Sequence, residues 1–103
     1  ALTYEAIRND QVEVICAYST DSKIKSYDLK VLEDDKNFFP PYDCAVVAKI
    51  ELLDKYPELR EVIGKLSGLI TPDDMIDMNY KADELGIDHS QIAREFLEER
   101  GLI

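Results

Sequence analysis

Phe38-Phe39-Pro40-Pro41-Tyr42 divides this chain into two parts of different character. Two successive prolines fix the backbone angles here, and the ring of Tyr42 is held directly behind them. Residues 1–40 contain runs of β-type residues between short helical segments, whereas residues 41–103 soon become helical throughout. The sequence therefore predicts an α/β fold, in which helices pack on a small sheet.

The first part predicts two strands and two short helices. A helix is expected through Thr3 to Arg8, and Asp21 is placed to cap another over Ser22 to Ser26. Val12 to Tyr18 is apolar at successive as well as alternate positions, which is typical of a strand covered on both faces, as in a parallel sheet. Asp28 to Glu33 is predicted as the second strand.

The second part predicts helices with clear start and stop signals, after a short extended segment at Cys44 to Val47. A short helix is expected around Lys49 to Lys55. Proline and capping residues mark helix starts, and glycines mark helix ends. The predicted start and stop signals are Pro57 with Gly68, Thr71-Pro72 with Gly86, and the capping-box pair Asp88 and Gln91 with Gly101.

The composition describes one acidic, folded domain. Its 103 residues are 46% hydrophobic, as in globular proteins. No apolar run approaches the roughly 20 residues that a membrane span needs. A net charge of -10 argues against a nucleic-acid partner and is mildly favourable to a cationic ligand.

Cys16 and Cys44 both lie in apolar segments, so they are expected to be reduced and buried as small hydrophobic residues. Their separation matches no zinc-binding pattern, and His89, the single histidine, cannot complete a tetrahedral site with them unless carboxylates take part. A disulfide remains open if the two segments are neighbours in the fold.

The sequence contains no catalytic constellation, so an enzyme is the weakest interpretation. His89 falls in the first turn of a predicted helix, no serine has nucleophile-elbow surroundings, and no glycine-rich phosphate loop is present. Asp34-Asp35 and Asp73-Asp74 fall at turns or helix starts, where solvation and the helix dipole explain them. Neither a metal nor a cofactor is expected.

Two tyrosines are placed where their rings would be held rigidly. Tyr18 ends the first predicted strand, and Tyr42 follows the proline pair. Rigid aromatic faces suit a quaternary ammonium ligand, which has no N–H group to donate. The alternative is structural, because a tyrosine with a buried ring and a solvated hydroxyl is ordinary. On the residues alone, that alternative is favoured.

Short motifs follow one another along nearly the whole chain. They are Leu-Thr-Tyr-Glu-Ala at 2–6, Tyr-Ser-Thr-Asp at 18–21, Tyr-Asp-Leu at 27–29, Val-Leu-Glu-Asp-Asp-Lys at 31–36, Phe-Phe-Pro-Pro-Tyr at 38–42, Lys-Tyr-Pro-Glu-Leu at 55–59, Met-Asn-Tyr at 78–80 and Ala-Arg-Glu-Phe-Leu at 93–97. In order and spacing, this series resembles the C-terminal part of the glycine betaine/carnitine/choline-binding proteins of osmoprotectant ABC transporters.

The resemblance implies a two-lobed fold of the periplasmic-binding-protein type (type II-like), with the ligand in the cleft between the lobes. Residues 1–40 would belong to the second lobe and carry one cleft wall, and residues 41–103 would cross the hinge and form the C-terminal helical portion of the first lobe. Members of the family are extracytoplasmic, either membrane-anchored or fused to a permease, and longer than this chain. A fragment is therefore expected, in agreement with a chain that starts at Ala1 rather than Met.

The resemblance also assigns the site. Tyr18 and Tyr42 are similar to two of the aromatic walls that surround the trimethylammonium group of the ligand. Thr20 and Asp21 are interpreted first as turn and cap residues that aim Tyr18, and second as ligand contacts. The implied partners are a quaternary ammonium solute and the membrane permease subunit of the transporter.

Two further expectations concern association. An acidic, helical protein-interaction module without a small-molecule ligand is the alternative function, and only the charge supports it. If the strands lack neighbours in this chain, their open edges would seek partners, so a dimer or an exchanged segment is expected at high concentration.

Overall fold

The computed structural model describes residues 2–103, and these contain six α-helices. They are α1 (Leu2–Arg8), α2 (Ser22–Ser26), α3 (Ile50–Lys55), α4 (Glu58–Gly64), α5 (Pro72–Asp83) and α6 (His89–Glu99). Every helix that the sequence predicts is present. Over this described range, no helix has the length and apolar character needed to cross a membrane.

The helices belong to two compact units. The first unit contains the described residues up to Val31 together with Thr71–Ile103, and the second unit contains Leu32–Ile70. The assignment of residues 1–40 and 41–103 to two lobes concerns a longer receptor and stays a prediction.

The small sheet is not confirmed, because residues 12–18 and 28–33 form no β-strand. A strand exists only when a neighbouring segment completes its hydrogen-bond ladder, and local sequence cannot supply that neighbour. Val14 is 68% exposed and Val31 is 51% exposed, so apolar positions that were expected beneath other elements lie at the surface. Residues 44–47, predicted as extended, are also outside regular structure.

The first unit is built around α5, against which α2 and α6 pack. Its buried apolar residues are Tyr4 on α1 and the pair Ile92 and Phe96 on α6. The two α6 residues are four positions apart and therefore lie on one face of the helix. This face of α6 therefore supplies two of the buried apolar residues of the first unit.

Two salt bridges join α2 to α5 and to the residue just after it. Lys23 pairs with Glu84 at 2.8 Å, just beyond the end of α5, and Lys25 pairs with Asp77 at 2.6 Å. Both pairs are partly exposed, so solvent screens them and each adds little to stability. Both pairs connect α2 with α5 or the residue just after it.

The start of α5 carries a complete capping box. The Thr71 hydroxyl accepts the Asp74 backbone N–H at 3.1 Å, while the Asp74 carboxylate accepts the Thr71 backbone N–H at 2.9 Å. These bonds, led by the one from the Thr71 backbone and helped by the nearby Arg100, lower the pKa of the Asp74 carboxyl. The ionised carboxylate therefore stabilises the fold above the ordinary aspartate range, and this contribution is lost as the pH falls below it.

Thr71→Ala is expected to lower the free energy of unfolding by about 1 kcal/mol, because it leaves the Asp74 N–H without its cap. Thr71→Ser, which keeps the hydroxyl, serves as the matched control and is expected to stay close to the parent. Urea denaturation followed by circular dichroism measures both. Equal losses for Ala and Ser would show that the threonine methyl group, and not the cap, is responsible.

The start of α6 differs from the prediction. Asp88 caps the helix as expected, since its carboxylate accepts the Ser90 backbone N–H at 2.9 Å. The Gln91 side chain does not complete a capping box, because its amide donates to Glu95, one turn further on, at 2.9 Å. After the helix, Gly101 has φ +66°, which is the left-handed conformation expected of a helix stop.

The second unit contains α3 and α4 and has no fully buried residue. Its half-buried residues are Ala48, Leu53, Leu59, Ile63, Leu66 and Leu69. The prediction that the helix opened by Pro57 continues towards Gly68 is wrong, because α4 ends at Gly64. After α4 the backbone continues in turns, in which an N–H donates to the carbonyl three residues earlier. The Ser67 N–H, for example, donates to the Gly64 carbonyl at 3.0 Å. Glycine at that point lowers the helix propensity, and no buried face compensates for it.

Candidate functional site

Tyr18 opens a turn that leads into α2. The Asp21 N–H donates to the Tyr18 carbonyl at 3.1 Å, which closes the turn. The Tyr18 side chain is 64% exposed, so its ring is not part of the core of the first unit. Exposure of this kind is what a wall of a binding site requires before its ligand and any closing surface are in place.

Asp21 occupies the cap position of α2 but makes no side-chain capping bond. Its Oδ2 instead accepts the Tyr4 hydroxyl at 2.7 Å and, over a longer 3.4 Å, the Tyr18 backbone N–H. Asp21 thus occupies the predicted cap position, but the capping hydrogen bond expected there is not formed. One carboxylate oxygen links the turn to α1.

Thr20 is half-buried, and its backbone rather than its side chain has a described bond. The Asn79 side-chain amide on α5 donates to the Thr20 carbonyl at 2.7 Å. Two residues further on, the Ser22 hydroxyl donates to the Asp83 carboxylate at 2.8 Å. The helix α5 therefore also holds the turn of residues 18–21.

Tyr4 has a structural role in the first unit. The side chain is buried, and its ring meets the Tyr27 ring edge-on at 6.3 Å between centroids. Burial, the hydrogen bond to Asp21 and the charge of Asp21 all raise the pKa of the Tyr4 phenol well above its usual range. The folded protein therefore holds this proton more tightly than the unfolded chain does.

Stability is expected to fall as the pH rises above about 10, the ordinary tyrosine value, because the unfolded chain then loses a proton that folded Tyr4 retains. Below that pH the contribution is fully present. Tyr4→Phe should reduce the alkaline slope of the unfolding free energy, and Tyr56→Phe is the control. Identical slopes in the parent and in Tyr4→Phe would contradict the tight hold on this proton.

Tyr42 lies in the second unit and is 76% exposed. Just before the prolines, the Asp34 carboxylate accepts the Phe38 N–H at 3.0 Å and the Phe39 N–H at 2.8 Å. These backbone bonds, the one from Phe39 first, lower the pKa of the Asp34 carboxyl. These bonds order the backbone just before Tyr42. The sequence prediction attributed that order to the prolines alone. That Tyr42 and Tyr18 line one cleft stays a prediction.

An open cavity of about 1040 Å³ in the first unit lies beside Tyr27. Neither Tyr18 nor Thr20 lines it. Two cations of the chain already stand over the Tyr27 ring, Arg8 and Lys23, each 5.2 Å from its centroid. This cavity is therefore not the predicted site.

Metal and thiol chemistry can be judged over residues 2–103. Within that range no group of three or more histidine, cysteine or carboxylate side chains could hold a metal ion. Cys16 and Cys44 are free thiols, and the prediction that they are buried is wrong, because both are exposed. The apolar segments that carry them are not covered by another element.

Sequence reasoning missed Asn79 and the hydroxyl of Tyr4 as contacts of the turn. Both lie within motifs that carry the resemblance, at 78–80 and 2–6. For Asn79, the available signal was that this motif residue lies outside the apolar pattern of its helix.

Comparison with known proteins identifies the class. Residues 1–99 match the OpuAC family, the substrate binding domain of ABC-type glycine betaine transport systems, and the chain belongs to this family. The predicted resemblance is thereby confirmed. Proteins of this class bind small-molecule substrates for transport and are not enzymes.

Particular relatives lie across several bacteria. A carnitine transport binding protein, OpuCC, of Listeria monocytogenes is 47% identical over 97 residues, covering 94% of this chain and 32% of that protein. The ergothioneine transport permease/ergothioneine binding protein EgtU of Helicobacter pylori is 38% identical, covering 98% of this chain and 18% of its own length. A glycine-betaine-binding protein of Pseudomonas aeruginosa is 31% identical, covering 99% and 33%. The chain thus spans at most about a third of these relatives.

The fold agrees with a solved structure described as a glycine betaine/carnitine/choline ABC transporter. The TM-score is 0.86 at 46% sequence identity, and the match covers 98% of this chain and 37% of the other. The backbone arrangement is therefore that of a periplasmic-binding-protein-like transporter component, although residues 2–103 form no sheet on their own.

Proposed function

We propose that this chain is part of an extracytoplasmic solute-binding protein, which captures a quaternary ammonium osmoprotectant and delivers it to the permease of an ABC transporter. The observation that carries the proposal is the family match over residues 1–99. Tyr18 and Tyr42 are the residues proposed to contact the ligand cation, with Thr20 as a further contact.

The proposed chemistry is an aromatic cage. A trimethylammonium group cannot donate hydrogen bonds, so ring faces must replace its water by cation–π attraction and dispersion. Tyr18 and Tyr42 have exposed side chains on ordered backbone segments, which supports this role. Further walls and a partner for a ligand carboxylate would come from the rest of the longer receptor.

The named relatives narrow the ligand class. Carnitine, glycine betaine and ergothioneine each carry a trimethylammonium group and a carboxylate, whereas choline carries the cation alone. The shared cation is the group that the two tyrosines would recognise. We therefore propose a trimethylammonium compound as the ligand, with the carboxylate as a second recognition element supplied elsewhere.

The test is calorimetry on a chain of the length of the relatives, titrated with glycine betaine, dimethylglycine and glycine. Affinity is expected to fall in that order, because each lost methyl group exposes an N–H that aromatic faces cannot satisfy. Carnitine, choline and ergothioneine extend the series. The 103-residue chain alone should bind weakly or not at all, since half a cage leaves the cation hydrated. Tight binding by this chain, or equal affinity for glycine, would overturn the proposal.

The alternative of an acidic interaction module has no specific observation in its favour. Four acidic residues on or beside α5 and α6 already pair with cations of the same chain: Asp74 with Arg100, Asp77 with Lys25, Glu84 with Lys23 and Glu95 with Lys81. The acidic surface is thus partly neutralised within the first unit.

Self-association of the 103-residue chain is expected at high concentration. In the second unit Phe38 is 82% exposed and Val47 is 92% exposed, and exposed apolar surface of this extent favours association. Val47→Lys should weaken it, whereas Val62→Lys, at a position 56% exposed on α4, serves as the control. Sedimentation velocity over a concentration series measures it. A strictly monomeric, concentration-independent profile would contradict this expectation.

A further inference from the structure

Building on the proposed function, we infer that Tyr4, Asp21 and Asn79 are positioning residues. They hold the turn of residues 18–21 between α1 and α5, so that the turn presents Tyr18 to the ligand. None of the three needs to touch the ligand for this role.

Two described hydrogen bonds lie within the turn. They join the Asp21 N–H to the Tyr18 carbonyl at 3.1 Å and the Tyr18 N–H to the Asp21 carboxylate at 3.4 Å. The second of these is exposed, so water competes with it. The residues before the turn, 12–17, form no helix or strand that could hold it from behind.

The attachment to α1 passes through the Asp21 carboxylate. The Tyr4 hydroxyl, 17 residues away in sequence, donates to Oδ2 at 2.7 Å in a partly buried bond. The same oxygen faces the Tyr18 backbone N–H. Because Tyr4 is itself buried, its hydroxyl fixes the position of Asp21, and the Asp21 N–H, which donates to the Tyr18 carbonyl at 3.1 Å, extends this constraint to the backbone of Tyr18.

The attachment to α5 passes through the backbone of Thr20. The Asn79 amide, 59 residues away in sequence, donates to the Thr20 carbonyl at 2.7 Å, also in a partly buried bond. Asn79 sits in the middle of α5, where the helix is continuous on both sides. Residues of two helices thus bond to adjacent residues of one turn.

Preorganisation is the physical consequence. A cage wall that is already held in place does not have to be ordered when the ligand binds, so its contacts contribute fully to affinity. Loss of one hydrogen bond of this kind corresponds to a loss of about fivefold in ligand affinity. Removal of either attachment is therefore expected to weaken binding without changing the wall itself.

Amide hydrogen exchange on the 103-residue chain is the first test. Tyr4→Phe and Asn79→Ala should speed exchange of the Tyr18 and Asp21 amides about fivefold, and leave the amides of α6 unchanged. General destabilisation would instead speed exchange in α6 as well. Asp21→Asn, which keeps an oxygen acceptor, should lie closer to the parent than Asp21→Ala does.

Two matched controls remove comparable bonds elsewhere. Tyr27→Phe deletes a tyrosine hydroxyl that donates to Glu5 on α1 at 3.1 Å, and Gln91→Ala deletes an amide that donates to Glu95 on α6 at 2.9 Å. Both should leave exchange at Tyr18 as in the parent. If they accelerate it as much as Tyr4→Phe and Asn79→Ala do, the positioning role is overturned.

Ligand binding by a chain of the length of the relatives is the second test. Tyr4→Phe and Asn79→Ala should each weaken glycine betaine or carnitine binding about fivefold, and the controls should not. If the parent binds but the variants match it, positioning fails while the proposed function stands. If the parent binds no trimethylammonium ligand, the proposed function fails, and exchange at Tyr18 still reports separately whether the turn is held.

Discussion

Tyr18→Ala and Tyr42→Ala are each expected to weaken trimethylammonium binding about thirtyfold or more in a receptor of the length of the relatives. A desolvated cation–π contact contributes about 2 kcal/mol, which corresponds to this factor. Tyr18→Phe and Tyr42→Phe should lose less than about fivefold, because the ring is kept and only a hydroxyl is removed. Isothermal titration calorimetry with glycine betaine and carnitine measures these changes.

Tyr56→Ala is the control for this series. Its ring already lies 5.0 Å from Lys55 and next to the start of α4, so its loss should leave ligand affinity unchanged. The ranking of Phe and Ala is decisive. A tyrosine that recognises the ligand through its hydroxyl would lose as much in Phe as in Ala, and this result would exclude the cage.

Phe96→Ala is expected to have the largest effect on stability, about 3 kcal/mol of unfolding free energy. The ring is buried on the face of α6 that packs against α5, and truncation leaves a cavity beside the few other buried apolar residues. It also removes the ring over which Arg100 stands at 5.1 Å. Urea denaturation of the 103-residue chain gives the value.

Phe38→Ala is the same substitution at an exposed site. Phe38 is 82% exposed and meets only the edge of Phe39 among its described ring contacts, so the loss should stay below about 1 kcal/mol. If Phe96→Ala proves unable to fold, Ile92→Val takes its place as the test. This smaller change at a buried position should lower the free energy of unfolding by about 1 kcal/mol. Comparable losses for the two phenylalanines would contradict the position of the core.

The helices could be predicted because their signals are local. Thr71 and Asp74 form a capping box, Pro72 stands at the first helical position between them, and the apolar pair on α6 follows the helical period. The predicted end of α4 at Gly68 is wrong because Gly64, four residues earlier, already weakens the last turn of the helix.

The sheet and the burial of the cysteines could not be predicted, because both depend on distant partners. Residues 12–17 have the composition of a covered strand, but composition cannot say which segment covers them. Cys16 and Cys44 were expected to be buried on the same reasoning, and both are exposed.

The residues of the candidate site come from the resemblance and stay a prediction, whereas the hydrogen bonds that support the turn could not be predicted. Motif resemblance selected Tyr18, Thr20 and Tyr42, and it gave Asp21 a role near the turn. The bonds that Asp21 receives from Tyr4 and that Thr20 receives from Asn79 join residues far apart in sequence, so only coordinates reveal them.

The two exposed thiols provide two native labelling sites for a distance measurement. Cys16 stands two residues before Tyr18 in the first unit, and Cys44 stands two residues after Tyr42 in the second; the chain has no other cysteine. Spin labels attached to the native thiols would sit beside both proposed walls without any engineered site. In a chain of the length of the relatives, pulsed dipolar spectroscopy with and without carnitine would then measure the separation of the two labels, and a hinge closure on ligand would register as a shorter, narrower distance distribution.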